Sequence, residues 1–440
     1  MNDVITLSRI QFALCVSFHY LFVPLSVGLS LMLVFMEGIY LNTKDVIYCS
    51  MTRFWIKIFA LIFVLGVSTG LVQIFGFGTN WANFSIFSGD IFASLLGAEA
   101  IFAFFLESFF MAILLFGWNK VSEKIHFLST IMVAIGAHMS AFWIIAANSW
   151  MQTPSGYILK ETRGVLKAYM NGFWSVVHNF STWDRFFHVV IGTWICGAFF
   201  VVSIHTYYYQ KQEYKNFGKK GLKLGLIIAG VSLILQLYSA DISARGVAKN
   251  QPIKLAAFEG VYQTTERTPI WLFGYVKDKR VIGIKIPGAL SFLVHRNFKT
   301  PVQGLDSVSS ELWPNVPIVF QFYHLMVFFW GVMVLLVISG IVLLKKEKRF
   351  RIIVWALYSS VVFAEITNQV GWFAAEMGRQ PWTVQGLLKT KEAVSPVLYR
   401  YQIVQTIIMF SIIFFLMFCL FLFLLFRKIK QGPEIEKLVC

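Results

Sequence analysis

Charge is what this 440-residue sequence has least of: 38 basic and 22 acidic side chains make up 14% of it, against 57% hydrophobic residues. So few charges exclude a dispersed soluble protein and place the chain in a bilayer. Cysteine is scarce as well. The five (Cys15, Cys49, Cys196, Cys419 and Cys440) show no CxxC spacing, and three lie in apolar runs. That excludes a zinc framework and predicts small core residues rather than disulfides. There is no repeat of 20–50 residues and no low-complexity tract. No small-residue cleavage site follows the N-terminal apolar stretch, so the first helix is expected to be retained rather than removed as a signal peptide.

What is abundant is apolar runs long enough to cross roughly 30 Å of hydrocarbon as a helix. About nine are expected, near 12–36, 54–77, 92–117, 126–150, 185–208, 221–240, 317–344, 351–375 and 402–426. In lipid the backbone must satisfy its own hydrogen bonds, so the fold class is an all-α polytopic membrane bundle. The net charge of +16 falls in clusters between helices: Lys120 and Lys124; Lys211, Lys215, Lys219, Lys220 and Lys223; Lys345, Lys346, Lys348, Arg349 and Arg351; and Arg427, Lys428 and Lys430. These follow the third, fifth, seventh and ninth spans. The excess of basic residues on cytoplasmic loops puts the N-terminus outside and the C-terminus in the cytoplasm, and argues against nucleic-acid binding. Residues 1–240 are expected to hold six spans, 241–316 an ordered outer-face loop with a β-like stretch (IWLFGYVKDKRVIGIKIPGAL), and 317–440 the last three spans with a cytoplasmic tail. A second outer segment covers about 152–183.

The segment GWFAAEMGRQPW, Gly371–Trp382, sets Glu376 where an apolar helix leaves the membrane, followed by Arg379. A carboxylate at that depth is costly unless paired. His19, His188, Met326 and Glu99 are expected at a similar depth near the outer face, on different helices. Imidazole and thioether are axial ligands of haem iron, and a His/Met pair suits a low-spin electron-transfer haem. A lone Met or His in a span is ordinarily packing, so the convergence is what points to redox chemistry. Glu99 and Glu107, eight residues apart, are expected on roughly one helix face about 12 Å apart along the axis. They suit proton-relay stations, extended by Ser108 and Ser140, or equally two carboxylates each paired with a neighbouring helix. His126, His138, His178, His205 and His295 are expected to be packing or surface groups. In the outer loop, Lys254 and Glu259 in QPIKLAAFEG offer a cation and a carboxylate suited to the oxygens of a quinol, although such pairs are ordinary.

Together these residues resemble subunit I of the cytochrome bd-type quinol oxidases. The resemblance runs in order through SRIQFALCVSFHYLFVPL, FGTNW, GDIFASLLGAEAIFAFFLES, SAFWIIAANSWMQTP, QPIKLAAFEG and GWFAAEMGRQPW. It implies a low-spin haem b held by His188 and Met326, with His19 and Glu376 as ligands of a high-spin haem b and of a haem d or a b-type haem in its place. It also implies Trp372 between haems, Arg9 and Arg379 on propionates, and Lys254 and Glu259 at the quinol. The reaction implied is quinol oxidation at the outer side and O2 reduction to water with cytoplasmic protons drawn through Ser108, Ser140 and Glu107. The partners implied are a second large membrane subunit, a small single-helix subunit, ubiquinol or menaquinol, and O2, in a bacterial inner membrane. Two departures stand out. His324 occupies the position where the family pattern has arginine, and the loop after the sixth span lacks a long insertion, which resembles the short-loop, cyanide-insensitive branch. Rival readings are a haem-b quinol dehydrogenase with another acceptor, and an ion-coupled transporter using Glu99 and Glu107.

Overall fold

Proline placement breaks the first crossing beside a candidate ligand. In the computed structural model, which describes residues 2–346 and 351–434, α1 (Asn2–His19) ends three residues before α2 (Val23–Thr43). Pro24 has no N–H to donate and its ring collides with the carbonyl four residues back, so one helix cannot run through Tyr20. His19 is therefore the last residue of α1. The side chain of Asp45 then caps α3 (Val46–Thr79) by accepting from Ile47 N. α4 (Ala82–Glu99) continues through a π-helical turn, Ala100–Phe104, into α5 (Phe105–Phe116). Ser122 caps α6 (Glu123–Gln152).

The outer segment after α6 is a hairpin of β1 (Tyr157–Thr162) and β2 (Val165–Met170), followed by α7 (Phe173–Val177). α8 (Thr182–Gln210) and α9 (Lys215–Asn250) form the centre of the bundle, with α2 against α8. That approach is close because Gly28 and Gly197 face each other: a Cβ on Gly28 would lie 2.0 Å from the Thr193 carbonyl oxygen. α9 runs to Asn250, ten residues beyond the expected end of the sixth span, and α10 (Pro252–Glu259) starts directly after it. The β-like stretch forms β3 (Ile270–Lys277) and β4 (Arg280–Ile286), antiparallel and joined at Asp278–Lys279, both with positive φ. Such φ values suit a two-residue hairpin turn. There follow α11 (Ala289–His295), α12 (Val316–Lys346), α13 (Arg351–Tyr358), α14 (Ser360–Met377), a short pair β5 (Trp382–Val384) and β6 (Leu388–Lys389), α15 (Thr390–Ala393) and α16 (Arg400–Gln431).

Among the described residues, eight helical stretches are long and apolar enough to cross a membrane; α1 and α2 count as one, as do α4 and α5. The ninth expected crossing is α13 and α14, interrupted at Ser359. Glu365, Asn368, Gln369 and Glu376 lower its apolar character. One end of the bundle is tied by Lys44–Glu123, Lys220–Asp45 and Lys57–Glu434 ion pairs, which bring the ends of α2, α3, α6, α9 and α16 to one face. Lys348, Arg349 and Cys440 lie outside the described residues. The cysteine expectation needs one correction: Cys49 is disulfide-bonded, whereas Cys15, Cys196 and Cys419 are free. A disulfide needs only closeness in space, which sequence spacing does not report.

Candidate functional site

Glu376, at the end of α14, is the centre of a buried polar cluster built from four helices. Its Oε1 accepts from Asn148 Nδ2 (3.1 Å) and Gln152 Nε2 (3.2 Å) of α6, and its Oε2 accepts from Arg379 Nη2 at 2.5 Å. Arg185 of α8 donates to Asn148 Oδ1 and lies 5.8 Å over the Trp372 ring. Lys254 of α10 donates to Gln152 Oε1 at 2.9 Å, so Gln152 joins the outer-loop helix directly to Glu376. The balance of charge is uneven. Three cations, Arg185, Arg379 and Lys254, surround one carboxylate, and Arg379 Nε and Nη1 and Arg185 Nε are buried with no hydrogen-bond partner. Buried guanidinium donors left unpaired cost free energy unless an anion accepts from them. The cluster is built for further negative charge. Arg379 keeps only 7% of its side-chain surface exposed while Glu376 keeps 32%, so the carboxylate retains an open side.

His19 lies beside this cluster through its neighbour: the Tyr20 ring meets Trp372 edge-on, with centroids 5.5 Å apart. His19 Nδ1 is 2.9 Å from Thr69 Oγ1 of α3, whose hydroxyl bonds the Leu65 carbonyl. With Nδ1 tied, Nε2 is the nitrogen left for ligation, the usual second-shell arrangement for a metal-binding imidazole. The His188 ring on α8 is flanked by Gln236 Nε2 at 2.9 Å and Ser239 Oγ at 3.2 Å, both from α9. On α12, Met326 packs its sulfur against Gly371, where an added Cβ would be 3.0 Å from Sδ. α14 touches both of these helices, with Gly371 at Met326 and Asn368 donating to the Gly192 carbonyl, one turn from His188.

Among the described residues there is no group of three or more His, Cys, Asp or Glu arranged as a metal cage. Single ligands presented by separate helices, next to cations lacking anions, instead fit an iron that brings its own four in-plane nitrogens and acidic arms. A donor set of imidazole and thioether beside arginines with free N–H groups suits haem.

Ser140 Oγ of α6 donates to Glu99 Oε1 at 2.7 Å. Glu107 is buried at 6% exposure and packs on Gly136, where a Cβ would be 2.8 Å from the Glu107 Cβ. The π turn between the two carboxylates corrects their expected phase. Eight α-helical residues rotate through about 800°, about 80° past two turns. The π turn takes up one extra residue, leaving about 700° of rotation, so both return to within about 20° of one face. Ser108 is half-buried beside Glu107.

Lys254 and Glu259 are both buried on α10, at 3% and 2% exposure. They do not meet each other: Lys254 turns to Gln152, while Glu259 sits by Tyr323 and the Trp271 backbone with its Oε2 unpartnered. The Phe258 and Tyr323 rings stack alongside at 4.8 Å. Burial holds Glu259 protonated to about 8, and burial beside Arg185 and Arg379 pushes the Lys254 ammonium well below its usual range.

Arg9 is exposed on α1, ten residues or about 15 Å along the helix from His19. His324 Nδ1 is 2.9 Å from the Phe320 carbonyl and its buried Nε2 has no partner. His138 and His205 are packing groups held by Trp194 and Trp55, and His178 stacks between Trp174 and Trp183. His126 differs, being paired with a buried carboxylate, Glu37. Sequence reasoning missed Arg185, Asn148, Gln152 and Gln236. The one available signal was Arg185, an ionisable residue inside a span and one turn before His188.

The sequence matches the family described as cytochrome bd terminal oxidase subunit I over residues 7–433. It is 36% identical to the cytochrome bd ubiquinol oxidase subunit 1 of Bacillus subtilis, covering 99% of this chain and 95% of that one. Identity is 32% with the cytochrome bd-II ubiquinol oxidase subunit 1 of Escherichia coli, over 99% and 98% of the two chains. The fold is similar to that of the bd oxidase from Geobacillus thermodenitrificans, with a TM-score of 0.90 and 27% identity over 98% of this chain and 99% of that one.

Proposed function

This chain belongs to the cytochrome bd terminal oxidase subunit I family, and from that premise we propose how its own residues divide the work of the reaction. It is a subunit of a terminal respiratory quinol oxidase, a multi-pass protein of a bacterial inner membrane that oxidises quinol and reduces O2 alongside a second subunit. Bound haem supplies the one-electron steps and the reduction of O2.

The observation that carries the assignment of residues is the cationic excess around Glu376 and its link through Gln152 to Lys254. Arg185 and Arg379 bind the propionates of the outer-face haems, their unpaired N–H groups supplying the donors. His188 and Met326 hold a low-spin haem b, with Gln236 and Ser239 fixing the imidazole. His19 and Glu376 each hold one of two high-spin haems, one b-type and the other d-type or a b-type in its place. Trp372, between Tyr20 and Arg185, lies on the path joining them. Residues 241–316 form the quinol-binding loop, in which Glu259 accepts a quinol proton and Lys254 holds a ring oxygen against Gln152. Ubiquinol and menaquinol both present the two hydroxyls this requires. α16, whose apolar stretch is only 11% buried, leaves a face for a small single-helix subunit.

On the inward side, Glu107, Ser108, Ser140 and Glu99 carry protons to the oxygen site. Two quinols release four protons outside and give four electrons, and O2 takes these with four cytoplasmic protons to give two waters. A potential therefore builds without protons being pumped through the chain. The test is the reduced-minus-oxidised spectrum of the purified oxidase carrying His188→Ala or Met326→Leu. Each is expected to remove the low-spin b band while the oxygen-binding haem stays detectable. Survival of that band in both variants would show that other residues ligate it.

A further inference from the structure

One buried ionisable pair lies outside both the outer cluster and the Glu107–Glu99 route. Glu37 of α2 and His126 of α6 are 1% and 2% exposed. His126 Nδ1 is 2.6 Å from Glu37 Oε1, Thr130 Oγ1 donates to Glu37 Oε2, and His126 Nε2 is 3.1 Å from the Leu114 carbonyl oxygen. A carbonyl only accepts, so Nε2 carries a proton. Nδ1 then faces Glu37 either as an imidazolium beside a carboxylate or as an imidazole beside a carboxylic acid. Both descriptions contain one proton shared along the 2.6 Å contact, and both leave the pair neutral overall. A pair that holds one mobile proton without net charge is suited to a membrane interior, where an isolated charge is expensive.

Its position gives that proton somewhere to go. On α6 the sequence of contacts from the cytoplasmic end is Glu123, His126, Thr130, Gly136 against Glu107, and Ser140 bonded to Glu99. Thr130 to Gly136 is about 9 Å along the axis and Gly136 to Ser140 about 6 Å. At the surface, Tyr40 Oη donates to Glu123 Oε1 at 2.7 Å. Tyr40 follows Glu37 by three residues and Glu123 precedes His126 by three, so the two pairs stack one turn apart. Glu123 is 44% exposed and ion-paired with Lys44. Arg53 of α3 is a further cation nearby, held over Trp118, whose ring lies 3.9 Å from that of His126.

We infer that Glu37, His126 and Thr130 form the cytoplasmic loading station of the proton relay, filled from Glu123 and Tyr40 and emptied toward Glu107. This rests on the reading of Glu107 and Glu99 as relay groups. Glu37 gives its proton inward across the ~9 Å step toward the Glu107 side chain on Gly136. A proton from the surface pair replaces it at the shared Nδ1–Oε1 contact, while Nε2 keeps its own proton on the Leu114 carbonyl. One cytoplasmic proton enters for each proton consumed, four per O2. A structural latch between α2 and α6 would make the same contacts but would not govern the rate.

The test compares Glu37→Gln with Glu107→Gln in the complete purified oxidase, reading haem bands, quinol-driven O2 uptake and its pH profile. Glu37→Gln is expected to keep the haem bands and lose about 10-fold in turnover, less at acid pH than at alkaline pH, since a relay group contributes at the low end of general acid–base catalysis. Turnover and pH profile unchanged in Glu37→Gln, with Glu107→Gln crippled, overturns the station and leaves the relay standing. Full activity in Glu107→Gln overturns the relay beneath it. If Glu37→Gln loses its haems, Thr130→Val decides: it keeps the carboxylate and removes one donor. A shifted alkaline limb supports the station, and an unmoved limb overturns it.

Discussion

The two buried charge clusters, one at each end of the bundle, are built on opposite plans. At the inner end Glu37 is matched by His126 and Thr130, and the pair closes on itself. At the outer end Arg379 pairs with Glu376, Arg185 and Lys254 join it only through Asn148 and Gln152, and guanidinium N–H groups remain without acceptors. Burying charge costs several kcal/mol unless every lone pair and proton is used. A self-satisfied pair can therefore stand alone, whereas an unsatisfied one must obtain its missing partners from a ligand. On the proposed reading the difference separates a cluster that handles protons from one that binds an anionic cofactor, although both read in the sequence as isolated ionisable residues in apolar helices.

The sharpest way to break that comparison is to remove the outer excess. Arg379→Leu strips Glu376 of its ion pair and takes away two of the three unpaired donors, leaving Arg185 Nε. It is expected to abolish outer high-spin haem binding and lower turnover by about 100-fold or more, since breaking a buried pair costs about 3–5 kcal/mol. Full haem content in this variant would refute the role given to the cationic cluster. At the inner end, His126→Leu leaves Glu37 with Thr130 alone. It is expected to destabilise the protein by about 3 kcal/mol in thermal melts while haem ligation in the folded fraction is retained. Unaltered melting would show the pair to be dispensable to the fold.

A smaller effect concerns the quinol loop. Glu259 is protonated below about 8 and becomes a carboxylate as the pH rises through that value, because burial disfavours its charge. A base must be ionised to accept a proton, so turnover at limiting quinol is expected to rise with pH up to about 8. Glu259→Gln should flatten that limb and cost about 10-fold or more. An undiminished limb in the variant would assign the ionisation to another group. The smallest effect is expected from Gly371→Ala, whose methyl would lie 3.0 Å from Met326 Sδ. The sulfur must yield by a few tenths of an ångström, shifting the low-spin haem's band or potential while turnover changes by no more than about 2-fold. No spectral change would mean that Met326 is not held against α14.

Most of the crossings were legible because apolar length is a local property. The ninth was legible by position, yet α14 carries Asn368 and Glu376 of the site together with Glu365 and Gln369, and so fails a purely apolar measure. Glu376 and Arg379 were visible as a pair three residues apart, which is one helical turn. Asn148 and Gln152 were not, because they reach Glu376 from a helix 224 or more residues earlier and no local pattern marks them, and Arg185 joins only through Asn148. The π turn that brings Glu99 and Glu107 onto one face was also hidden, since ordinary helical residues fill it.

By itself the sequence determined the membrane bundle, its orientation and the residue types available near the outer face, because hydropathy, loop charge and depth are counted along the chain. Only the tertiary structure decided which of those groups share a partner. It joined Lys254 to Glu376 through Gln152, set Lys254 and Glu259 apart on α10, left Arg9 at the surface and closed His126 onto Glu37. The physical reason is that the cost of a buried charge depends on every neighbour within hydrogen-bonding reach, and those neighbours come from helices that the chain brings together only on folding.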